Sequence, residues 1–86
     1  MENSPLEFPG DHPIKVMGHD KPEFRATILK TIEERGAPVV ADSIRERPSR
    51  DGTYLSFTVA VTVSSREELA GIYQALHATG LVLFAL

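Results

Sequence analysis

The chain contains no cysteine. Disulfides, a thiol nucleophile and thiolate ligation of a metal are therefore excluded, and a reducing compartment, the cytoplasm, is the expected setting. The sequence also lacks any apolar run near the ~20 residues that cross a bilayer as a helix. Its longest uncharged stretch, TYLSFTVAVTVSS (residues 53–65), is laced with Ser and Thr and alternates as a strand does. The opening residues, MENSPLEFPGD, hold neither a cationic segment nor an apolar core, so no secretory signal is read there. Positive charge is scarce as well. Nine Lys and Arg stand against twelve Asp and Glu, a net charge of −3, which argues against a dedicated nucleic-acid binder.

What is present suits one small folded domain. Of 86 residues, 42 % are hydrophobic and 24 % charged, ordinary values for a globular chain. Residues 1–11 carry Pro5, Pro9 and Gly10 and read as an irregular lead-in, with Leu6 and Phe8 able to dock on a core. Residues 12–86 read as a single domain.

The order of elements follows from period and punctuation. HPIKVMGH (12–19) places Ile14 and Val16 on one face and Lys15 and Met17 on the other, the pattern of a half-buried strand. Asp20 and Glu23 form a capping-box-like start to a helix, with Pro22 in its first turn. Phe24, Ile28 and Ile32, with Leu29 beside them, make one apolar stripe, and Gly36 with Pro38 ends the helix. Residues 39–47 read as an edge strand blunted by Arg45, Glu46 and Arg47. PSRDG (48–52) is a turn, with Asp51–Gly52 as the hairpin signal. Residues 54–63 then alternate cleanly. Leu55, Phe57, Val59, Val61 and Val63 share one face, and Tyr54, Ser56, Thr58, Ala60 and Thr62 share the other. Ser65 with Glu68 opens a second helix on which Leu69, Ile72, Tyr73 and Leu76 recur at helical spacing. Gly80 stops it, and LVLFAL (81–86) closes the chain as a strand apolar on both faces.

Strand, helix, strand, strand, helix, strand is the split βαβ order of an α+β, ferredoxin-like βαββαβ sandwich. Its four-stranded antiparallel sheet has the first and third strands at the centre and both helices on one face. The valine face must lie beneath the helices. The opposite face, with Tyr54, Ser56, Lys15, Met17 and half of the last strand, is left open and semi-polar. Exposed hydrocarbon on such a face points to cover by a protein partner or by a second copy of the chain.

Several short motifs combine into a likeness. Phe8–Pro9, KVMG at 15–18 and Pro22–Glu23, followed by Pro48, Ser49, Gly52, Tyr54 and Ser56, resemble the YbeD-like family of small bacterial proteins over nearly the whole chain. The resemblance implies the ferredoxin-like fold. It also implies a similarity to ACT-type regulatory domains, which bind small molecules and associate through sheets or helices. It implies no catalytic activity.

Chemistry read from the residues is sparse. His12 and His19, seven apart, would face opposite sides of one strand, and His77 lies in the second helix, so converging metal ligands are not expected and solvated imidazoles are. Glu33 and Glu34 are adjacent on a helix and belong to a solvated face. An acylphosphatase-like anion loop at VMGHDKPEFR is opposed by Asp20 and Glu23. RNA binding would rely on Tyr54 as a lone stacking platform beside Lys15, Arg45 and Arg47, with Arg50 near by. A small ligand would use Gly18, whose bare backbone permits close approach, and His19. The reading is of a non-enzymatic regulatory or adaptor domain without cofactor or metal. It acts by protein association, with contacts expected among Lys15, Met17, Gly18, His19, Arg45, Arg47, Tyr54 and Ser56. The alternative is an ACT-like sensor of an amino acid or anion. Capping explains GHDKPEF without a ligand.

Overall fold

The computed structural model describes residues 8–85. In chain order they form β1 (Gly10–His19), α1 (Pro22–Glu34), β2 (Arg45–Pro48), β3 (Tyr54–Val63), α2 (Arg66–Ala78) and β4 (Phe84–Ala85). The sheet runs β2-β3-β1-β4, with every neighbouring pair antiparallel. This is the ferredoxin-like arrangement that the element order predicts, with β1 and β3 central.

The register of the central pair carries the whole layout. Ile14 lies opposite Val59 and Val16 opposite Phe57, all turned towards the helices. Leu55, Val61 and Val63 continue this buried row, and Phe24, Ile28 and Ile32 of α1 with Ile72 and Leu76 of α2 close over it. Burying each such side chain is worth ~1.5–3 kcal/mol, and a slip of one residue would turn the row out to water. Phe8 packs against this core as well. Leu6, Leu86 and the rest of the lead-in up to residue 7 lie outside the described residues.

The structure departs from the sequence reading at four places, each for a local reason. Asp20 does not cap α1. The N-cap is Lys21, extended at φ −130° and ψ 152° and without a side-chain cap. Proline at the first helical position forces the residue before it into extended backbone, so the helix begins one residue later than the acidic pattern implied. The Asp20 carboxylate instead lies 3.5 Å from Arg25. The edge strand is also shorter than 39–47. Val39 makes only an isolated bridge to Val61, and Asp42 adopts a left-handed φ of 62° that breaks the extended chain. The Ser43 hydroxyl fills the gap, accepting from the Ala60 amide at 3.0 Å and donating to the Val40 carbonyl at 2.7 Å. The last strand contracts to Phe84–Ala85. Finally, His12 is buried rather than solvated. β1 begins at Gly10, which pairs with Val63, so His12 falls within the strand on the helix-facing side and stacks on Phe8 at 4.8 Å.

The second helix start is as the sequence implied. The Ser65 hydroxyl accepts from the Glu68 amide at 3.0 Å, and the Glu68 carboxylate accepts from the Ser64 amide at 2.6 Å.

Candidate interaction face

Strand pleating puts alternate residues on opposite faces, so the residues left over by the core form the open one. Directly opposed residues are ~4.5–5.5 Å apart at Cβ, and the register therefore arranges this face in rows. Arg45 lies opposite Thr58, and Thr58 opposite Lys15. The next row is Arg47, Ser56, Met17 and Phe84. The third is Tyr54 with His19, whose rings are 5.2 Å apart and tilted by 32°.

Seven of the eight residues expected as contacts are thus gathered on one surface. Two shallow depressions lie along β3. One of about 190 Å³ is lined by Met17, Arg47, Pro48, Ser49, Tyr54 and Ser56. The other, about 290 Å³, is lined by Lys15, Arg45, Glu46, Arg47, Ser56 and Thr58. Phe84, 49 % exposed, extends the apolar part of the surface beside Met17. Its position follows from the alternation of the last strand, but that strand is apolar on both sides, so the sequence did not single it out.

Gly18 is the exception. It is buried on the helix side, and a Cβ built there would collide with the Phe24 ring and sit 2.5 Å from the Leu81 carbonyl oxygen. The bare backbone is needed because the protein's own α1 and its last segment close over it. The loop beyond is a corner held internally: the Asp20 amide donates to the Thr53 carbonyl at 2.9 Å, and the Lys21 amide to that of His19 at 2.9 Å. A cleft of about 110 Å³ remains next to it, between His19, Lys21, Glu23, Phe24 and the 80–83 segment.

Among the described residues, Lys15, Arg45 and Arg47 take part in no ion pair. The Arg45 guanidinium is held by the carbonyls of Asp42 and Ile44 at 2.8 and 2.9 Å. The carboxylate nearest to them in sequence, Glu46, lies opposite Phe57 and so turns towards the helix layer, where Arg25 holds it at 2.8 Å. That contact raises the Arg25 pKa above its ordinary value, chiefly through the hydrogen bond from its guanidinium to Glu46. At the far end, Asp11 is engaged by the Thr62 hydroxyl at 2.6 Å.

Proline interrupts the outward-facing backbone donors at two places on the sheet. The Ala60 carbonyl accepts from Val40, and the Thr62 amide donates to Pro38, so even-numbered residues of β3 turn their backbone groups to the β2 side. Arg45 and Arg47, opposite Thr58 and Ser56, therefore exchange the ladder bonds, and Pro48 faces outward. By the same parity Pro13, opposite Ala60, faces away from β3 on the stretch of β1 that precedes its pairing with β4. A proline has no N–H to give an incoming strand, so Pro48 removes one donor from the free edge of β2, and Pro13 removes one from the stretch of β1 that β4 does not cover.

No helix among the described residues is long and apolar enough to cross a membrane. Among them, too, no three His, Asp or Glu side chains are grouped so as to hold a metal ion.

The family described as a protein of unknown function, DUF493, matches residues 3–86. The chain belongs to the DUF493 family. A UPF0250 protein of Bordetella pertussis is 40 % identical over 85 residues, covering 99 % of this chain and 93 % of that one. A UPF0250 protein of Paraburkholderia phytofirmans is 43 % identical over 76 residues, covering 88 % and 85 %. The YbeD-like resemblance is therefore correct. Among solved structures, an H. pylori protein superposes with a TM-score of 0.80 at 20 % identity, covering 99 % of this DUF493 chain and 89 % of its own. The ACT domain from the GTP pyrophosphokinase of Chlorobium tepidum superposes with a TM-score of 0.72 at 14 % identity, covering 88 % and 94 %. At these identities the likeness is one of fold.

Proposed function

We propose that this DUF493 chain is a non-enzymatic, ACT-like interaction module that binds an acidic protein partner across its open sheet face. The observation that carries the reading is a coincidence of place. On a chain of net charge −3, the cations Lys15, Arg45 and Arg47, without carboxylate partners among the described residues, stand beside Met17, Tyr54 and Phe84 on the one sheet face that no helix covers. Charge complementarity selects an acidic partner and speeds its encounter, while a few exposed apolar side chains supply anchors. A face-to-face pair of identical copies would have to avoid opposing these cations. The small-molecule alternative would need access to the Gly18 backbone, a side that Phe24 and Leu81 already occupy.

The test is site-specific photocrosslinking in the source cell. Benzoylphenylalanine in place of Met17 should give a defined adduct, and the same group in place of Lys30, exposed on α1, should not. Arg47→Glu should suppress the Met17 adduct. Adducts from Lys30 alone would overturn the proposal, and an adduct with the mass of two chains would replace the acidic partner by a second copy.

A further inference from the structure

The shape of the open face says more about what lies on it. Along β3 the outward side chains are small: Ser56, Thr58 and Ala60. They form the floor of a trough. Arg45 and Arg47 rise on one flank from β2, Lys15 and Met17 on the other from β1. β1 and β2 flank β3 at ~4.7–4.9 Å each, so the trough is about two strand spacings wide. Arg45 and Arg47 are two residues apart on one strand face, ~6.6–6.8 Å along the sheet. Side chains two apart in an extended peptide repeat at that same distance. The trough ends in the depression lined by Met17, Pro48 and Tyr54, the apolar end of the surface.

We infer that this trough takes an extended segment of the partner, with acidic residues at alternate positions followed by an apolar or aromatic residue. The inference rests on the reading of the open face given above and names the ligand of that face. The alternate carboxylates meet Arg45 and Arg47. The Ser56 and Thr58 hydroxyls meet the peptide backbone, and the terminal ring enters beside Tyr54 and Met17. The segment lies on the face, where the cations and hydroxyls are, and Pro48 takes one backbone donor from the β2 edge that strand addition would use. Lys15 stands across the trough and adds to the positive field that the acidic segment enters.

The probe is a fluorescein-labelled hexapeptide in which glutamate alternates with serine before a closing phenylalanine. It is titrated into the full chain by fluorescence anisotropy, with amide chemical shifts recorded in parallel. The expected result is saturable binding that perturbs residues 45–47 and 54–58, weakens with added salt and drops ~10-fold or more in Arg47→Glu. A peptide with glutamine for glutamate should bind at least ~10-fold more weakly, the loss of one charge-assisted contact or more. Equal binding of the glutamine peptide, or perturbations confined to α1 and α2, would overturn the inference. Tighter binding of a labelled hexauridylate would replace it by a nucleic-acid ligand. A Met17 photoadduct without any peptide binding would leave the interaction face standing and remove the extended acidic segment.

Discussion

Replacing Gly18 by alanine separates a packing role for that position from a binding role. The residue is buried where β1 meets the start of α1, and its backbone φ is not in the left-handed region, so conformational strain is not the issue. Space is. The new carbon would collide with the Phe24 ring, with Cδ1 at 2.8 Å, and would sit 2.5 Å from the Leu81 carbonyl oxygen. A ring can turn a little, but Leu81 precedes β4, whose register is tied by the bond from the Leu83 amide to the Met17 carbonyl at 2.8 Å. Overpacking of this kind costs ~1–3 kcal/mol. Alanine returns ~0.4–1 kcal/mol by restricting the unfolded chain. With a backbone oxygen as near as 2.5 Å the upper part of that range applies, so the net loss is ~1–2.6 kcal/mol, which at ~4–8 °C per kcal/mol for a chain of this size lowers the melting temperature by roughly 4–21 °C. Circular dichroism melts of Gly18→Ala, Phe24→Leu and the double variant are the assay. If the ring clash is the cause, the double variant loses less than the sum of the singles by more than ~0.5 kcal/mol. An unchanged or raised melting temperature in Gly18→Ala would refute the argument.

Three further outcomes are expected. Phe57→Ala, emptying a fully buried ring position, should cost ~3–5 kcal/mol in urea unfolding, whereas Tyr54→Ala on the open face should cost under ~1 kcal/mol; equal losses would contradict the face assignment. Ser65→Ala removes the hydroxyl that accepts from the Glu68 amide and should cost ~1 kcal/mol, with Ser65→Asp close to the parent. Asp51 is held below the usual carboxylate range, first by the Thr53 amide and then by the Ser49 hydroxyl. Because its folded pKa is depressed, the stability it adds is present above about pH 4, the unfolded value, and fades as pH falls through the folded one. Asp51→Asn should flatten that acid limb, read as melting temperature against pH from 6 to 2.

The fold was legible because its strongest signals were redundant. Residues 54–63 alternate without an exception, and that row alone decides which side the helices cover. Ser65 and Glu68 announced α2 correctly because nothing competed with them. Asp20 and Glu23 made a similar pattern and misled by one residue, because Pro22 constrains Lys21 more strongly than a carboxylate attracts an amide. The course of 39–47 was hidden for a different reason. Val39 and Val40 look like a strand, and only the left-handed turn at Asp42, with Ser43 bonding across to Ala60, shows that the chain loops out before β2. Of the candidate face, the alternation supplied Lys15, Met17, Tyr54 and Ser56 directly; Arg45 and Arg47 were legible only as charges of an edge strand, and the register with Thr58 and Ser56 puts them on the face. The partnership of Glu46 with Arg25, which leaves those cations uncompensated, depends on contacts between layers that no spacing reveals. Gly18 was misplaced because a glycine before a helix is as consistent with ligand approach as with close packing, and only the Phe24 ring decides between them.

The prolines and the cations belong to one argument about how such a sheet can bind without polymerising. A bare antiparallel sheet has two ways to gain contacts, through its edges and through its face. Edge pairing is driven by backbone hydrogen bonds that every copy of the chain shares, so it favours self-assembly. Pro48 removes a donor from the free edge of β2 and Pro13 one from the stretch of β1 that β4 leaves uncovered, and Arg45 and Arg47 add like charges to the edge strand. The face is left, and its floor of Ser56, Thr58 and Ala60 is too polar and too small to drive association by burial alone. Binding there must draw on charge and on a few anchors such as Met17, Tyr54 and Phe84. Contacts of that kind form quickly, respond to ionic strength and discriminate by sign, since a cationic surface brought against its own copy is repelled. On the proposed reading, the features that discourage strand addition and the charge of the face together favour a partner that is acidic, reversibly held and different from the chain itself.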